Sequence, residues 1–153
     1  MPRKADGDAA ALHRAMTDFL RFYQFRDRDR LGYYGLTITQ HYVLDVLIQR
    51  GALTLNALAD EMRLDKSTLS RVVDGLERKK AAKRIANPAD GRSMLISVTP
   101  LGRGKREKAV ADRVAENAKV FDGFPPAMKK QFIRLIADLT RAARARHLET
   151  VDE

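Results

Sequence analysis

Apolar residues recur at helical intervals over most of the chain. Leu12, Ala15, Met16, Phe19, Phe22, Tyr23 and Arg26 follow i, i+3, i+4 spacing and predict an amphipathic helix over 10–26, ending in the Asp27-Arg28-Asp29-Arg30 run near Leu31-Gly32. Its Met/Phe stripe reads as core or subunit contact. Thr37 with Gln40 three residues on has the form of a capping box, in which each side chain bonds the other residue's backbone N–H. Val43, Leu44, Leu47 and Ile48 continue that second helix, and Gly51 stops it. Thr54 is an N-cap candidate for a short third helix with Leu55, Leu58, Ala59 and Met62 on one face, ending near Arg63-Leu64. Asp65 then opens a fourth helix to about Lys80. Its carboxylate can accept a first-turn N–H and favours the positive end of the helix dipole. Leu69, Val72, Val73 and Leu76 share one face of that helix.

After Ala81-Ala82 the period changes. Lys83–Ala86 reads as a strand, Asn87-Pro88-Ala89-Asp90-Gly91 as a turn, and Ser93–Val98 as a returning strand, making a hairpin with a basic tip. Thr99-Pro100 places Pro just inside a helix start, and a fifth helix runs to about Phe121. Gly123-Phe124-Pro125-Pro126 breaks it. Met128, Phe132, Leu135, Leu139 and Ala142 then form a narrow, heptad-like seam suited to packing on another helix. The first, fifth and sixth helices flank the compact middle, and a second copy of the chain is the natural cover for their apolar faces.

Composition narrows the function. The chain has 153 residues, 44% hydrophobic and 32% charged, which is folded rather than disordered composition. Its net charge of +9 is unevenly spread. Residues 1–62 are balanced, residues 63–100 carry nine basic against four acidic side chains, and residues 101–153 carry twelve against eight. Such an excess points to a polyanion. The absence of cysteine excludes disulfide scaffolds, thiolate zinc sites and thiol chemistry. The three histidines are far apart, and no cofactor or metal is expected. No apolar stretch approaches a signal or membrane span, so the expected compartment is the cytoplasm, with no membrane partner. No nucleophile–base pattern, phosphate-binding glycine loop or metal spacing is present, which argues against an enzyme.

Residues 54–92 read as one unit: short helix, tight turn, second helix, basic hairpin. That is a helix-turn-helix followed by a wing. Lys66, Ser67, Thr68, Ser70 and Arg71 crowd the first two turns of the fourth helix, away from its apolar face. Groove entry wants this arrangement, because N-terminal residues of a recognition helix reach base edges and short hydroxyl side chains allow close approach. The same serines and threonine could simply cap the helix, with Arg71 solvated. At the wing, Arg92 suits insertion into a narrow minor groove. Asp90 is expected to pair with a nearby arginine, and Arg84 to contact the DNA backbone.

The sequence resembles the multiple antibiotic resistance regulator (MarR) family of bacterial transcription factors. The resemblance rests on Leu36-Thr37 with Gln40 and Leu44, Leu53-Thr54 through Leu58-Ala59, Lys66 through Glu77, Arg84, Asn87-Pro88 with Asp90-Gly91-Arg92, and Val98 through Gly102. It implies a mainly α fold with a small β part, a winged helix-turn-helix with long N- and C-terminal dimerisation helices. Residues 37–99 would form the DNA-binding lobe, and 1–36 with 100–153 the dimerisation region. It further implies a homodimer on a pseudo-palindromic double-stranded operator, usually repressing. Small aromatic or anionic effectors are common in the family, and His13, Arg14, Arg21, Tyr33, Tyr34 and His41 lie on segments that could border such a site. One departure stands out: where the family commonly has glycine after the recognition helix, this chain has Lys79-Lys80-Ala81. The competing reading is a non-specific nucleic-acid or architectural binder, for which operator and random DNA would bind alike.

Overall fold

The structure, a computed structural model, describes residues 4–149, with the side chains of all but 4–6, 27–31, 33 and 147–149. The elements in chain order are α1 (Lys4–Tyr33), α2 (Ile38–Arg50), β1 (Leu53–Thr54), α3 (Leu55–Met62), α4 (Lys66–Arg78), β2 (Ala82–Ala86), β3 (Met94–Val98), α5 (Pro100–Phe121) and α6 (Pro126–Glu149). The chain divides into two compact units, Met1–Val110 and Ala111–Glu153. Among the described residues no helix is long and apolar enough to cross a membrane.

Local sequence accounts for most of these boundaries. The capping box forms: Thr37 Oγ1 accepts from Gln40 N at 3.2 Å, and Gln40 Oε1 accepts from Thr37 N at 3.1 Å. Gly51 ends α2 at φ 86°, a value that favours glycine. Thr54 caps α3 by accepting from Ala57 N at 3.2 Å. At the other end of α3, Arg63 takes a left-handed φ of 52°, and Leu64 N reaches back to Ala59 O at 3.1 Å.

Three features depart from the sequence reading. Helix α1 begins at Lys4 rather than near residue 10, and it runs through the Asp/Arg stretch, which contains no breaker. The left-handed glycine that ends this region is Gly35, at φ 67°. Leu53–Thr54, read only as a helix entrance, forms a short strand. The sheet order is β1-β3-β2, all antiparallel, with Leu53 opposite Ile96 and Arg84 opposite Ile96 on the other side. Third, β2 starts at Ala82, because Ala81 and Ala82 are small enough to be buried where the hairpin leaves α4.

The core lies within the first unit. Leu44 and Leu47 of α2, Leu58 of α3, Leu69, Val73 and Leu76 of α4, and Ile96 of β3 are all fully or almost fully buried. Burying each such side chain contributes roughly 1.5–3 kcal/mol. The start of α5 is tied to this core. Arg106 donates to Asp45 of α2, and Lys105 Nζ donates to Tyr34 O at 3.1 Å. In the second unit, the Phe121 ring lies 6.2 Å from that of Phe124 and 5.8 Å from that of Phe132, closing the turn into α6.

The tightest contact joins the end of α4 to the start of α5. Thr99 Oγ1 donates to Lys80 O at 2.7 Å and accepts from Gly102 N at 3.0 Å, while Thr99 N donates to Ala81 O at 3.0 Å. A β-carbon at Gly102 would fall 2.0 Å from Ala81 O. Gly102→Ala is therefore expected to lower stability by roughly 3 kcal/mol, read as a drop of about 10 °C in the thermal midpoint. An unchanged midpoint would mean that α5 does not rest on this carbonyl.

Candidate nucleic-acid interface

The first turn of α4 is organised by Asp65. Its Oδ1 accepts from Ser67 Oγ at 2.6 Å and from Thr68 N at 2.8 Å. The Ser67 hydroxyl first, then the hydroxyl and backbone N–H of Thr68, hold this exposed carboxyl well below the usual carboxylate range. Thus Ser67 and Thr68 do take part in capping, as the simpler reading of the sequence has it. Capping does not remove them from the surface. Ser67 stays exposed with lone pairs free to accept, and Thr68 is half-buried.

Helix α4 is divided lengthwise. Leu69, Val73 and Leu76 are fully buried, whereas Lys66, Ser67 and Arg71 are exposed and Ser70 is half-buried. At 3.6 residues per turn, Ser67, Arg71, Asp74 and Arg78 line up along the outward stripe. Arg78 is exposed and belongs to this stripe, though it was not among the residues singled out from the sequence. Its spacing of seven from Arg71 was the available signal.

The wing tip is a chain of side-chain-supported turns. Asn87 Oδ1 accepts from Ala89 N at 3.0 Å, and Asn87 Nδ2 donates to Ser93 Oγ at 2.9 Å. Asp90 Oδ1 accepts from Arg92 N at 3.0 Å. The ion pair expected of Asp90 is therefore replaced by a backbone bond: the carboxylate shapes the turn that presents Arg92 and leaves that exposed guanidinium to solvent.

Arg84, expected at the DNA backbone, is held by side chains of α4. Its Nη2 lies 2.9 Å from Asp74 Oδ1, its Nη1 donates to Glu77 Oε2, and its backbone N donates to Glu77 Oε1 at 3.0 Å. Two carboxylates within reach compensate the guanidinium inside the protein.

The missing glycine after α4 is replaced by strain. Lys80 itself adopts the left-handed conformation, φ 55°, with Lys80 N bonded to Glu77 O and Ala81 N to Leu76 O, each at 2.8 Å. These are the two bonds of a Schellman ending. Lys79 turns inward, donating from Nζ to Gln40 Oε1 at 2.6 Å. Burial, then the charges of Lys105 and Arg78, pull its ammonium below the usual lysine range. Gly75 makes room for this contact, since a β-carbon there would meet Gln40 Nε2 at 2.6 Å.

The residues considered for an effector do not converge on one place. His13, Arg14 and Arg21 are exposed along α1, where Arg21 pairs with Asp18 at 3.0 Å and lines a shallow depression with Phe22 and Phe25. Tyr34 is half-buried at the Lys105 contact. His41 is fully buried, with Nε2 3.6 Å from Asp45 Oδ2. The side chain of Tyr33 lies outside the described residues.

Comparison with known proteins places this geometry. A sequence model of the MarR family matches residues 34–93. The chain is 30% identical over 109 residues to the HTH-type transcriptional repressor MdtR of Bacillus subtilis (strain 168), covering 71% of this chain and 70% of that one. It is 27% identical over 127 residues to the HTH-type transcriptional regulator YxaD of the same organism, covering 83% and 89%. Its fold matches that of a MarR family protein from Bacillus stearothermophilus with a TM-score of 0.79 at 24% identity, over 94% and 99% of the two chains.

A non-glycine residue in the left-handed region costs about 1–2 kcal/mol, partly offset by the greater unfolded-state freedom of glycine. Lys80→Gly is expected to raise stability by about 0.5–1 kcal/mol in denaturant unfolding. A loss of stability would show that Lys80 makes contacts outweighing its backbone strain.

Proposed function

The chain belongs to the MarR family and is a DNA-binding transcriptional regulator, and from that premise we propose that it is a homodimeric repressor reading a pseudo-palindromic operator. The observation that carries this reading is the divided surface of α4. Its apolar half is committed to the core, and its other half offers Ser67, Arg71 and Arg78 with no packing role. An arginine on such a stripe reaches a guanine edge, and one bidentate contact is worth ~1–3 kcal/mol of discrimination. Arg92 at the wing tip is the complementary minor-groove reader. Residues 37–99 form the DNA-binding lobe, and 1–36 with 100–153 the dimerisation region.

Dimerisation is supported by the apolar surface a single chain leaves uncovered. Leu12, Met16 and Phe19 are exposed on α1, as are Met128, Phe132, Leu135 and Leu139 on α6. Exposed stripes of this length belong against a partner, and a second copy supplies the symmetry a palindromic site requires. Repression follows the name of the relative MdtR. A small aromatic or anionic ligand would regulate the chain by binding its DNA-competent and DNA-incompetent shapes with different affinity.

Selection of bound duplexes from a random pool tests the reading. The expected result is one palindromic motif, with an affinity that falls with salt at a slope near −0.9 per neutralised phosphate. Arg71→Ala should relax preference at one base pair of each half-site by ~1–3 kcal/mol. Selected and random duplexes binding alike would favour an architectural role. Leu135→Glu, at a side chain 58% exposed in the single chain, should shift sedimentation to the monomer and weaken DNA binding. A Leu135→Glu dimer of undiminished stability would remove the α6 seam from the interface.

A further inference from the structure

Arg84 joins the two DNA-reading elements. Its guanidinium bonds Asp74 at 2.9 Å and Glu77, while its backbone N–H bonds Glu77 Oε1 at 3.0 Å. Asp74 and Glu77 stand one turn apart on α4, so the planar fork of one arginine spans that turn of the helix and fixes rotation as well as distance. A lysine, a single flexible point charge, could not do both. All three side chains are partly shielded, at 31% exposure for Arg84, 45% for Asp74 and 29% for Glu77.

The clasp sits where it governs the wing. Arg84 is the middle residue of β2, opposite Ile96 of β3, and the same hairpin carries Arg92 at its far end. At its base the hairpin is fixed through Ala81 and Thr99. Beyond Ala86 and Met94 the hydrogen bonds of the turn, among the described residues, are its own, made by Asn87, Asp90 and Ser93. Among the described residues, the bonds of Arg84 are the outermost side-chain hydrogen bonds between the wing and α4. Asp74 also lies on the outward stripe with Ser67 and Arg71, where an uncompensated carboxylate would oppose phosphate.

We propose that Arg84 is a positioning residue whose clasp on Asp74 and Glu77 fixes the wing at one angle to α4, so that Arg71 and Arg92 read the major and flanking minor grooves in fixed register. Operator preference then depends on Arg84 although Arg84 touches no DNA. This rests on the groove reading proposed above.

The test compares a duplex selected by the wild-type chain from a random pool with a scrambled duplex of the same composition. In Arg84→Met the preference for the selected duplex is expected to fall roughly tenfold. Carboxylates freed by the substitution weaken both duplexes alike and leave that ratio unaffected. Arg92→Ala, costing roughly tenfold on the selected duplex in the wild-type background, is expected to cost less than about twofold in Arg84→Met, because an unclasped wing no longer delivers Arg92. The salt slope on the scrambled duplex should not change. A slope reduced by about 0.9 would place Arg84 on a phosphate and overturn the proposal. So would an unchanged preference, or an undiminished Arg92 effect. Should Arg84→Met fail to fold, Glu77→Gln, which keeps an acceptor for the backbone bond, is expected to reduce preference in the same direction, and no reduction overturns the proposal. A wild-type chain without preference overturns the groove reading as well, whereas preference surviving Arg84→Met overturns this proposal alone.

Discussion

The carbonyl of Ala81 stands 2.0 Å from the point where any side chain at position 102 would begin, and the rest of the first unit is arranged around that approach. Three chain directions meet there: α4 ends, the hairpin leaves, and α5 begins. Each brings polar backbone groups that need partners where the chain segments crowd together. Thr99 does most of this, binding Lys80 O and Ala81 O and capping α5 at Gly102 N. The strained Lys80 belongs to the same junction, because its left-handed turn is what brings Ala81 back under Leu76 O. A relaxed helix end would carry the hairpin elsewhere, and Gly102 would have nothing to sit on.

A second constraint is electrostatic. The basic stretch 63–100 still needs acidic residues to cap helices and shape turns, and each of its four acidic residues has a local donor. Asp65 holds Ser67 and Thr68, Asp90 holds the Arg92 backbone, and Asp74 with Glu77 hold Arg84. Each carboxylate thereby spreads its charge over hydrogen bonds inside the protein, and Lys66, Arg71, Arg78 and Arg92 remain outward. The net charge of +9 alone does not convey this sorting.

What could be read in advance follows from the range of the interactions involved. The Thr37–Gln40 box, the Thr54 and Asp65 caps, the Gly51 stop and the α4 face all depend on neighbours within four residues, and all were legible as spacing. Arg84 is seven and ten residues from its partners, in a different element, and as a string it looks like any other cation in a basic stretch. Lys79 pairs with Gln40 across 39 positions, and Arg106 with Asp45 across 61. No periodicity signals such bonds. The strand Leu53–Thr54 was hidden for a related reason: two residues carry no alternation, and only β3 alongside makes them a strand.

The same junction ties several elements of the first unit together. Helix α5 is anchored at its start to α4 through Thr99 and Gly102, to α2 through Arg106 and Asp45, and to the α1–α2 turn through Lys105 and Tyr34. Gln40 in turn connects α2 to the end of α4 through Lys79. These contacts close a ring in which the recognition helix is attached to α5 both directly and by way of α2. Gly102 lets the α5 backbone approach Ala81 O so closely that no side chain fits between them. Packed contacts of this kind change by switching between discrete arrangements rather than by gradual bending. Within the first unit, the start of α5 and the helix that carries Arg71 are thus held by one set of contacts.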